Sequence, residues 1–431
     1  MMKITIQQKV LLETLEKGAI AALSEDAQAD TSTLSILIKS VKLSADKHFT
    51  VESNTNLLAV KNNVLANEEN GINIKETGVV IVPAKELIGW VKNQGSEAVI
   101  AIVLQKLQTP EIINTLEDTS SNEDVDASKF SIRKIGTVKL SSKNAALGKT
   151  MGKWELDCYD PEQKPSVNFS EKSEKNFEIQ GQQLSEAMSN VRFAALDKDY
   201  EHVLDSISIQ VYEKELYFAA TDMQHCALYK VPKDSVSNIQ SNKPMLVPAV
   251  IFEQAVKIIN KEEKVGISYS DEKERVYLSQ TNLRIRMACT EKQHINKFPS
   301  IEVLFKKPYK LLTECPKNVM NAMLIDASLV NKSSALFVFT KADGTLTVKA
   351  ISEDNKYRPS IKQASVGDIS KDSKLIWGVD HLLEGLSVIK TDDIQLYLPE
   401  NLKSVKIMGK GSDNLIYFTM AIENAKYNMN E

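Results

Sequence analysis

The stretch Leu246–Lys261, LVPAVIFEQAVKIINK, constrains this chain more than any other because it recurs. Val247, Ile251, Phe252, Ala255, Ile258 and Ile259 fall at helical spacing and define one apolar face. Pro248 sits where a first helical turn tolerates it, since the missing N–H has no intrahelical partner there. Strand-like text follows at Val265–Ser270 and Val276–Ser279. The same unit reads IVPAKELIGWVK at Ile81–Lys92, with Pro83 in the slot of Pro248 and a strand-like run at Ala98–Leu104 behind it. It reads IWGVDHLLEGLSVIK at Ile376–Lys390, with Gly378 in that slot and strand candidates at Ile394–Leu398 and Val405–Met408. A strand, a tight entry, an amphipathic helix and further strands, three times over, predict a three-domain internal repeat.

A length of 431 residues agrees with about three domains. No run of about 18 apolar residues is present, so no membrane-spanning helix is expected. The opening MMKITIQQK lacks the apolar core of a signal peptide. Cys158, Cys226, Cys289 and Cys315 are widely spaced and form no CxxC pair, which fits a reducing cytoplasm. The net charge of −4 excludes a wholly basic nucleic-acid binder, so any such contact must come from a local patch.

In chain order, Lys3–Ile6 reads as a strand and Gln8–Leu23 as a helix, with Val10, Leu11, Leu15, Ala19 and Ala22 on one face. Leu34–Leu43 and Leu57–Val60 are strand candidates. Thr109–Ser128 carries Glu111, Glu117, Asp118, Glu123, Asp124 and Asp126 with no basic residue, and reads as a solvated acidic insertion between strands. Phe130–Leu140 and Lys153–Cys158 resume the first domain, and Pro161–Lys175 reads as a polar linker. Gln183–Phe193 is the first helix of the second repeat, and Pro316–Leu329 that of the third. Strands are expected at Ile207–Tyr212, Leu216–Ala220, Leu283–Ala288, Ala335–Phe339, Leu346–Ile351 and Leu415–Ile422, with a hairpin at Asp343-Gly344.

Catalytic signals are poor. Leu147–Thr150, LGKT, has the end of a phosphate-binding loop, but the glycine that motif needs upstream is Lys143. His48, His202, His225, His294 and His381 show no HExxH spacing and no metal-ligand cluster. His225 beside Cys226 suggests a thiol activated by imidazole, yet strand neighbours point to opposite faces. Asp392 and Asp393 belong to a solvated strand entry. The expectation is therefore no enzyme, no cofactor and no metal site.

Several segments together resemble the bacterial β sliding clamp, the processivity subunit of replicative DNA polymerase III. They are MKITIQQKVLLETL at the start, FAALDKDYEHVLDSISIQVYEKELYFAATD at Phe193–Asp222, the helix LVPAVIFEQAVKII, FPSI at Phe298–Ile301 where the family has FPDY, and LIYFTMAI at Leu415–Ile422. Their order and spacing carry the likeness over nearly the whole chain. The resemblance implies an α+β fold of three repeated clamp domains, 1–172, 173–306 and 307–431, each with two inner helices and outer antiparallel sheets. Three repeats per chain imply a homodimer that closes head to tail into a ring around duplex DNA, held without reading sequence. DNA-facing residues on the predicted helices would be Lys9, Lys17, Lys85, Lys92, Arg192, Lys257, Lys261, Lys317 and Lys390, interleaved with Glu13, Glu16, Glu86, Glu186 and Glu253.

The resemblance also implies an apolar pocket that takes short peptides of the polymerase, the clamp loader and repair proteins. By alignment it involves Leu204, Thr221, Met223, Pro299, Leu304, Leu402, Ser404, Phe418, Met420 and Ile422. The dimer edge would bring Trp154 against Leu324 and Ile325 of a partner. Departures are clear: the family's Gly-His-Arg is Met223-Gln224-His225, its FPDY tyrosine is Ile301, and its terminal MPMR is Met420-Ala421-Ile422-Glu423 with a further tail. Two other readings stand beside the clamp, a clamp-like protein scaffold without ring closure and an unrelated enzyme using Cys226.

Overall fold

The computed structural model describes residues 2–29, 35–114, 131–144, 148–164, 167–169, 174–196, 203–237, 244–270, 272–290, 298–300, 303–304, 307–331, 333–351, 357–366, 368–399 and 404–420. They form two compact units: Met1–Glu174 with Val265–Ala288, and Lys175–Lys264 with Cys289–Glu431.

Six longer helices lie among the described residues: α1 (Gln8–Gly18), α2 (Ala84–Lys92), α3 (Gly181–Val191), α4 (Ala249–Lys257), α5 (Lys317–Ser328) and α6 (Val379–Val388). All are entered in the same way, straight out of an extended residue. At the organising slot, Pro83 has φ −58 and ψ 126, Pro248 φ −50 and ψ 126, and Gly378 φ −65 and ψ 119. Gln7, Gln180 and Pro316 hold the same conformation ahead of α1, α3 and α5. Proline's fixed φ suits this position, and its absent N–H costs nothing there. Pro248 was expected inside the first helical turn; it instead closes the strand Met245–Pro248 and stands one residue before the helix.

The helices pack in consecutive pairs, α1 with α2, α3 with α4 and α5 with α6. Each pair is pinned at the same place, the start of its first helix against the end of its second. Gln8 Nε2 donates to Val91 O at 3.0 Å, the Gln182 N–H to Lys261 O at 2.8 Å, and Lys317 Nζ to Ile389 O at 2.5 Å.

The sheets repeat as well. Strands Gly78–Pro83, Ser40–Ala45, His48–Asn54 and Leu58–Leu65 pair side by side in that order. So do Met245–Pro248, Ser206–Tyr212, Glu215–Thr221 and His225–Lys230, and likewise Ser373–Trp377, Ala335–Thr340, Thr345–Ile351 and Tyr357–Ser365. After the second helix of each pair comes a three-stranded meander: Ala98–Asn114, Ser131–Asn144 and Thr150–Tyr159; then Lys264–Ser270, Arg275–Ser279 and Leu283–Ala288; then Asp393–Pro399, Ser404–Gly409 and Leu415–Met420. Two junctions join these pieces. In the first unit Leu283–Ala288 pairs antiparallel with Leu58–Leu65, and in the second Leu415–Met420 pairs antiparallel with His225–Lys230.

The core of the first unit gathers Ile4, Ile6, Leu11, Leu15, Val51, Leu87, Val91 and Ile102, all fully buried. Burying a leucine of this kind contributes about 2 kcal/mol. The helix predicted over Gln8–Leu23 stops at Gly18, where a Cβ would meet Val51 at 2.5 Å and where Ser53 Oγ donates to the Gly18 carbonyl at 2.6 Å. Leu34–Leu43, predicted as one strand, is a short helix, Ser35–Ile38, followed by the strand Ser40–Ala45. The acidic insertion is shorter than predicted. Thr109–Asn114 continues the strand from Ala98, and Glu111 lies 3.6 Å from Lys134 on the paired strand; residues 115–130 fall outside the described set. The supposed linker after Pro161 is anchored too, since Lys164 is buried and donates to the carbonyls of Leu37 and Ser40 at 2.8 and 2.7 Å.

Candidate functional site

The second unit holds the residues proposed for the peptide pocket. Its eight-stranded sheet places Thr221, Cys226, Phe418 and Lys406 in one row across four neighbouring strands. On this sheet Phe418 joins an apolar cluster with Tyr217, Ala219, Leu228, Leu246, Phe298 and Ile416, against which Leu304 and Tyr309 pack. The Tyr309 ring lies 5.6 Å from that of Phe418, and its hydroxyl is 3.1 Å from Ser404 Oγ. Ser404 in turn pairs with Met420, which is 42% exposed at the end of its strand.

The turn Thr221–His225 rises beside this cluster. Thr221 Oγ1 donates to the His225 carbonyl at 2.6 Å and accepts the Met223 N–H at 3.0 Å. That bonding holds Met223 at φ +75, in the left-handed region, with its side chain 59% exposed. The family places glycine there, so the backbone shape persists although the residue that suits it is gone.

Of the predicted pocket residues, Thr221, Met223, Leu304, Ser404, Phe418 and Met420 therefore lie on or around one cluster or on the turn and strand ends beside it, and Pro299 follows Phe298 of that cluster in sequence. Leu204 is buried in a 3-10 turn, Val203–Asp205, and the cluster does not include it. Leu402 and Ile422 lie outside the described residues. Sequence reasoning passed over Phe298 and Tyr309; the FPSI match pointed at the first, while nothing local marked the second. Two concavities of this unit lie elsewhere, one of about 100 Å³ between Glu186, Tyr229 and Lys390 and one of about 260 Å³ between Lys310 and Pro399.

The predicted DNA-facing cations divide in two. Lys9, Lys85 and Lys261 stand exposed. Others are held by neighbours: Lys17 by Glu13 at 2.8 Å, Lys92 by Glu16 at 2.9 Å, Arg192 and Lys257 by Glu253 at 3.2 and 2.8 Å, and Lys390 by Glu186 at 3.4 Å. Lys317 is committed to the Ile389 carbonyl. The helices thus offer a weak, partly neutralised positive field.

For the dimer edge, Trp154 is 36% exposed and Ile325 53% exposed. Leu324 is a correction. It is fully buried within its own unit, on the face of α5 that carries Met320, Met323 and Ala327, and offers no surface to a partner.

His225 and Cys226 do point to opposite sides of their strand. Cys226 packs against the apolar cluster and its thiol is pushed up to about 12 by desolvation, so it is no thiolate at neutral pH. His225 instead faces Asp222 and His381, a grouping that the scattered histidines of the sequence did not reveal.

Against known proteins, residues 178–290 match the family model of the DNA polymerase III beta subunit, central domain. A beta sliding clamp from Staphylococcus aureus is 20% identical over 356 residues, which are 82% of this chain and 82% of that protein. The chain is thus similar to β sliding clamps over most of its length, at low identity. A beta sliding clamp homolog from Streptomyces muensis is 25% identical over 234 residues, 54% of this chain and 61% of the relative. Among solved structures, the Pseudomonas aeruginosa sliding clamp bound to griselimycin aligns with a TM-score of 0.77 at 17% identity, covering 98% of this chain and 100% of that one. The Thermotoga maritima beta subunit aligns with a TM-score of 0.74 at 15% identity, covering 99% and 100%. These likenesses establish the clamp fold along the whole chain. No helix among the described residues is long and apolar enough to cross a membrane.

Proposed function

We propose that this chain is a DNA sliding clamp, in which two copies close a ring around duplex DNA and tether the replicative polymerase and its loader. The observation that carries this reading is a pair of strand edges. At both internal junctions, the last strand of a three-stranded meander pairs with the last strand of a four-stranded sheet. One strand of each kind is left over. Thr150–Tyr159 pairs with Ser131–Asn144 on one side and, on the other, makes only the Ile81–Tyr159 bridge among the described residues. Tyr357–Ser365 pairs with Thr345–Ile351 and has no strand on its other edge among the described residues. Left bare, such edges invite pairing with another chain. Joining the Thr150–Tyr159 edge of one protomer to the Tyr357–Ser365 edge of its partner would repeat the internal junction, and two such joints close a ring of six repeats. Exposed apolar residues accompany both edges: Met151 and Trp154 on the first strand, and Ile325, Leu329 and Val330 at the end of α5.

The other assignments follow from this reading. The division into domains 1–172, 173–306 and 307–431 fits the three copies of strand, helix pair and meander. Lys9, Lys85 and Lys261 would face the phosphates, weakly enough for sliding. The cluster around Phe418 and Leu304, rimmed by Met223 and Met420, would seat the apolar anchors of partner peptides. Such a protein performs no chemistry of its own, and it works where the bacterial chromosome lies, in the cytoplasm. Negative-stain class averages of the purified protein test the architecture. Rings with a hole of about 20 Å or more, wide enough for B-DNA, are expected; crescents or compact particles at micromolar concentration would favour a scaffold that does not enclose DNA.

A further inference from the structure

The turn Asp222–His225 and the start of α6 bring two imidazoles and two carboxylates together. The rings of His225 and His381 lie 4.3 Å apart, centroid to centroid. His225 is only 4% exposed. Its Nδ1 is 2.9 Å from Asp222 Oδ1, an oxygen that also accepts the backbone N–H groups of Gln224 and His225 at 2.8 Å each. His381 Nε2 lies 3.0 Å from the side-chain carbonyl of Gln224. Each ring thus has one nitrogen close to an acceptor, although the His225 Nδ1 contact with Asp222 is not aligned as a hydrogen bond. His225 Nε2 and His381 Nδ1 are likewise buried without a hydrogen-bond partner, and each lies 4.0 Å from the same oxygen, Glu384 Oε2.

A carboxylate oxygen 4.0 Å from one buried, unpartnered nitrogen of each ring, with a carboxylate beside one imidazole and an amide beside the other, is a pattern by which proteins hold transition metals. We propose that His225 Nε2, His381 Nδ1 and the Glu384 carboxylate bind a divalent ion of the zinc class, with Asp222 and Gln224 orienting the two rings. Ligand atoms of one tetrahedral zinc lie about 3.3 Å apart, given bonds of about 2.0 Å. Glu384 is half exposed and 4.0 Å from each nitrogen, so binding would draw its carboxylate and both rings inward. The surroundings supply a dry wall, since the Phe193 ring stacks on His225 at 5.7 Å and the Tyr417 ring stands 6.0 Å away. They also fix α6. The Tyr417 hydroxyl donates to the His381 carbonyl at 2.7 Å, and Gly385 admits the Tyr417 ring where a Cβ would meet it at 2.4 Å. A bound ion would staple the Met223-bearing turn to α6. The proposal rests on this geometry alone and holds whether or not the chain encircles DNA.

The test is cobalt titration of the full chain after chelator treatment, read as the visible d–d bands of tetrahedral Co(II), with zinc as competitor. We expect one equivalent per chain, displaced by zinc, and a zinc-dependent rise in the thermal midpoint. Asp222→Asn should weaken the affinity by about 10–100-fold through loss of the outer carboxylate. His381→Ala should abolish the bands. Because that variant leaves His225 in place, an unchanged circular dichroism spectrum identifies the loss as a ligand effect; should it fail to fold, the surface variant Glu384→Gln gives the same readout. Absence of bands and of a midpoint shift at tens of micromolar free metal would overturn the proposal, leaving an imidazole–carboxylate ion cluster only. Binding undiminished in both His381→Ala and Glu384→Gln would overturn it as well.

Discussion

Met223 shows how much one side chain reveals about the site. A non-glycine residue in the left-handed region costs roughly 1–2 kcal/mol, and Met223 is held there by the Thr221 hydroxyl. Met223→Gly should therefore stabilise the chain, by about 0.5–1 kcal/mol after the extra entropy of an unfolded glycine is deducted. Urea unfolding midpoints measure this. If the exposed thioether is a rim contact for partner peptides, the same variant binds them more weakly while being more stable, a combination that general damage to the fold does not give. Lys164 carries a second prediction. Desolvation lowers its pKa from the ordinary 10.5 to about 8, against the opposing pull of Glu52. The folded pKa is below the unfolded one, so between about pH 8 and 10.5 the unfolded chain binds the extra proton, and stability rises with pH across that window. The gain is on the order of 1–3 kcal/mol. It should appear as a difference between the wild type and Lys164→Met, in which the shared titration of other lysines and tyrosines cancels. The sequence marked Met223 as a pocket candidate and as a departure from a family glycine, but not its left-handed backbone; Lys164 looked like part of a polar linker because nothing near it in sequence indicates the carbonyls of Leu37 and Ser40 that bury it.

Among the elements, periodicity identified the helices because each pays for its place with one buried stripe, such as Leu11 and Leu15 in α1 or Leu87 and Val91 in α2. It failed where tertiary contact decided. The apolar run at Leu34–Leu43 suits a strand throughout, yet its first part winds into Ser35–Ile38, where Ser40 Oγ donates back to the Ile36 carbonyl at 2.6 Å. Leu324 and Ile325 are adjacent on a helix, and only packing determines which of the two turns inward; Leu324 does. The His225–His381 grouping was illegible for a similar reason, because its members come from a turn and a helix far apart in sequence. The strand Thr150–Tyr159 carries the prediction at this scale. Trp154 and Met151 stay exposed on an edge that is otherwise almost unpaired. Trp154→Arg should convert dimer to monomer, raising the dissociation constant by 30-fold or more, since central aromatic anchors of interfaces are worth about 2 kcal/mol or more. Sedimentation velocity measures the shift. A dimer of unchanged strength would move the interface away from this strand.

For the whole molecule, the question is how a clamp of net charge −4 would stay on DNA. Phosphate contacts alone would hold it poorly, because five of the nine candidate cations are paired with glutamates and Lys317 is engaged with a carbonyl. Binding that rests on released counterions falls steeply as salt rises. A closed ring is held by topology instead, and topology does not depend on salt. The two mechanisms separate on a linear duplex. Protein allowed to thread over free ends, followed by blocking of both ends with a bulky protein cap, should remain bound in raised salt at least ten times longer than on the same duplex with open ends. Cutting the capped duplex in the middle should release it at the open-end rate. Single-molecule residence times give both values. Equal residence on capped and open DNA, declining together with salt, would mean that the attachment is electrostatic and that the strand edges close onto something other than a second copy of this chain.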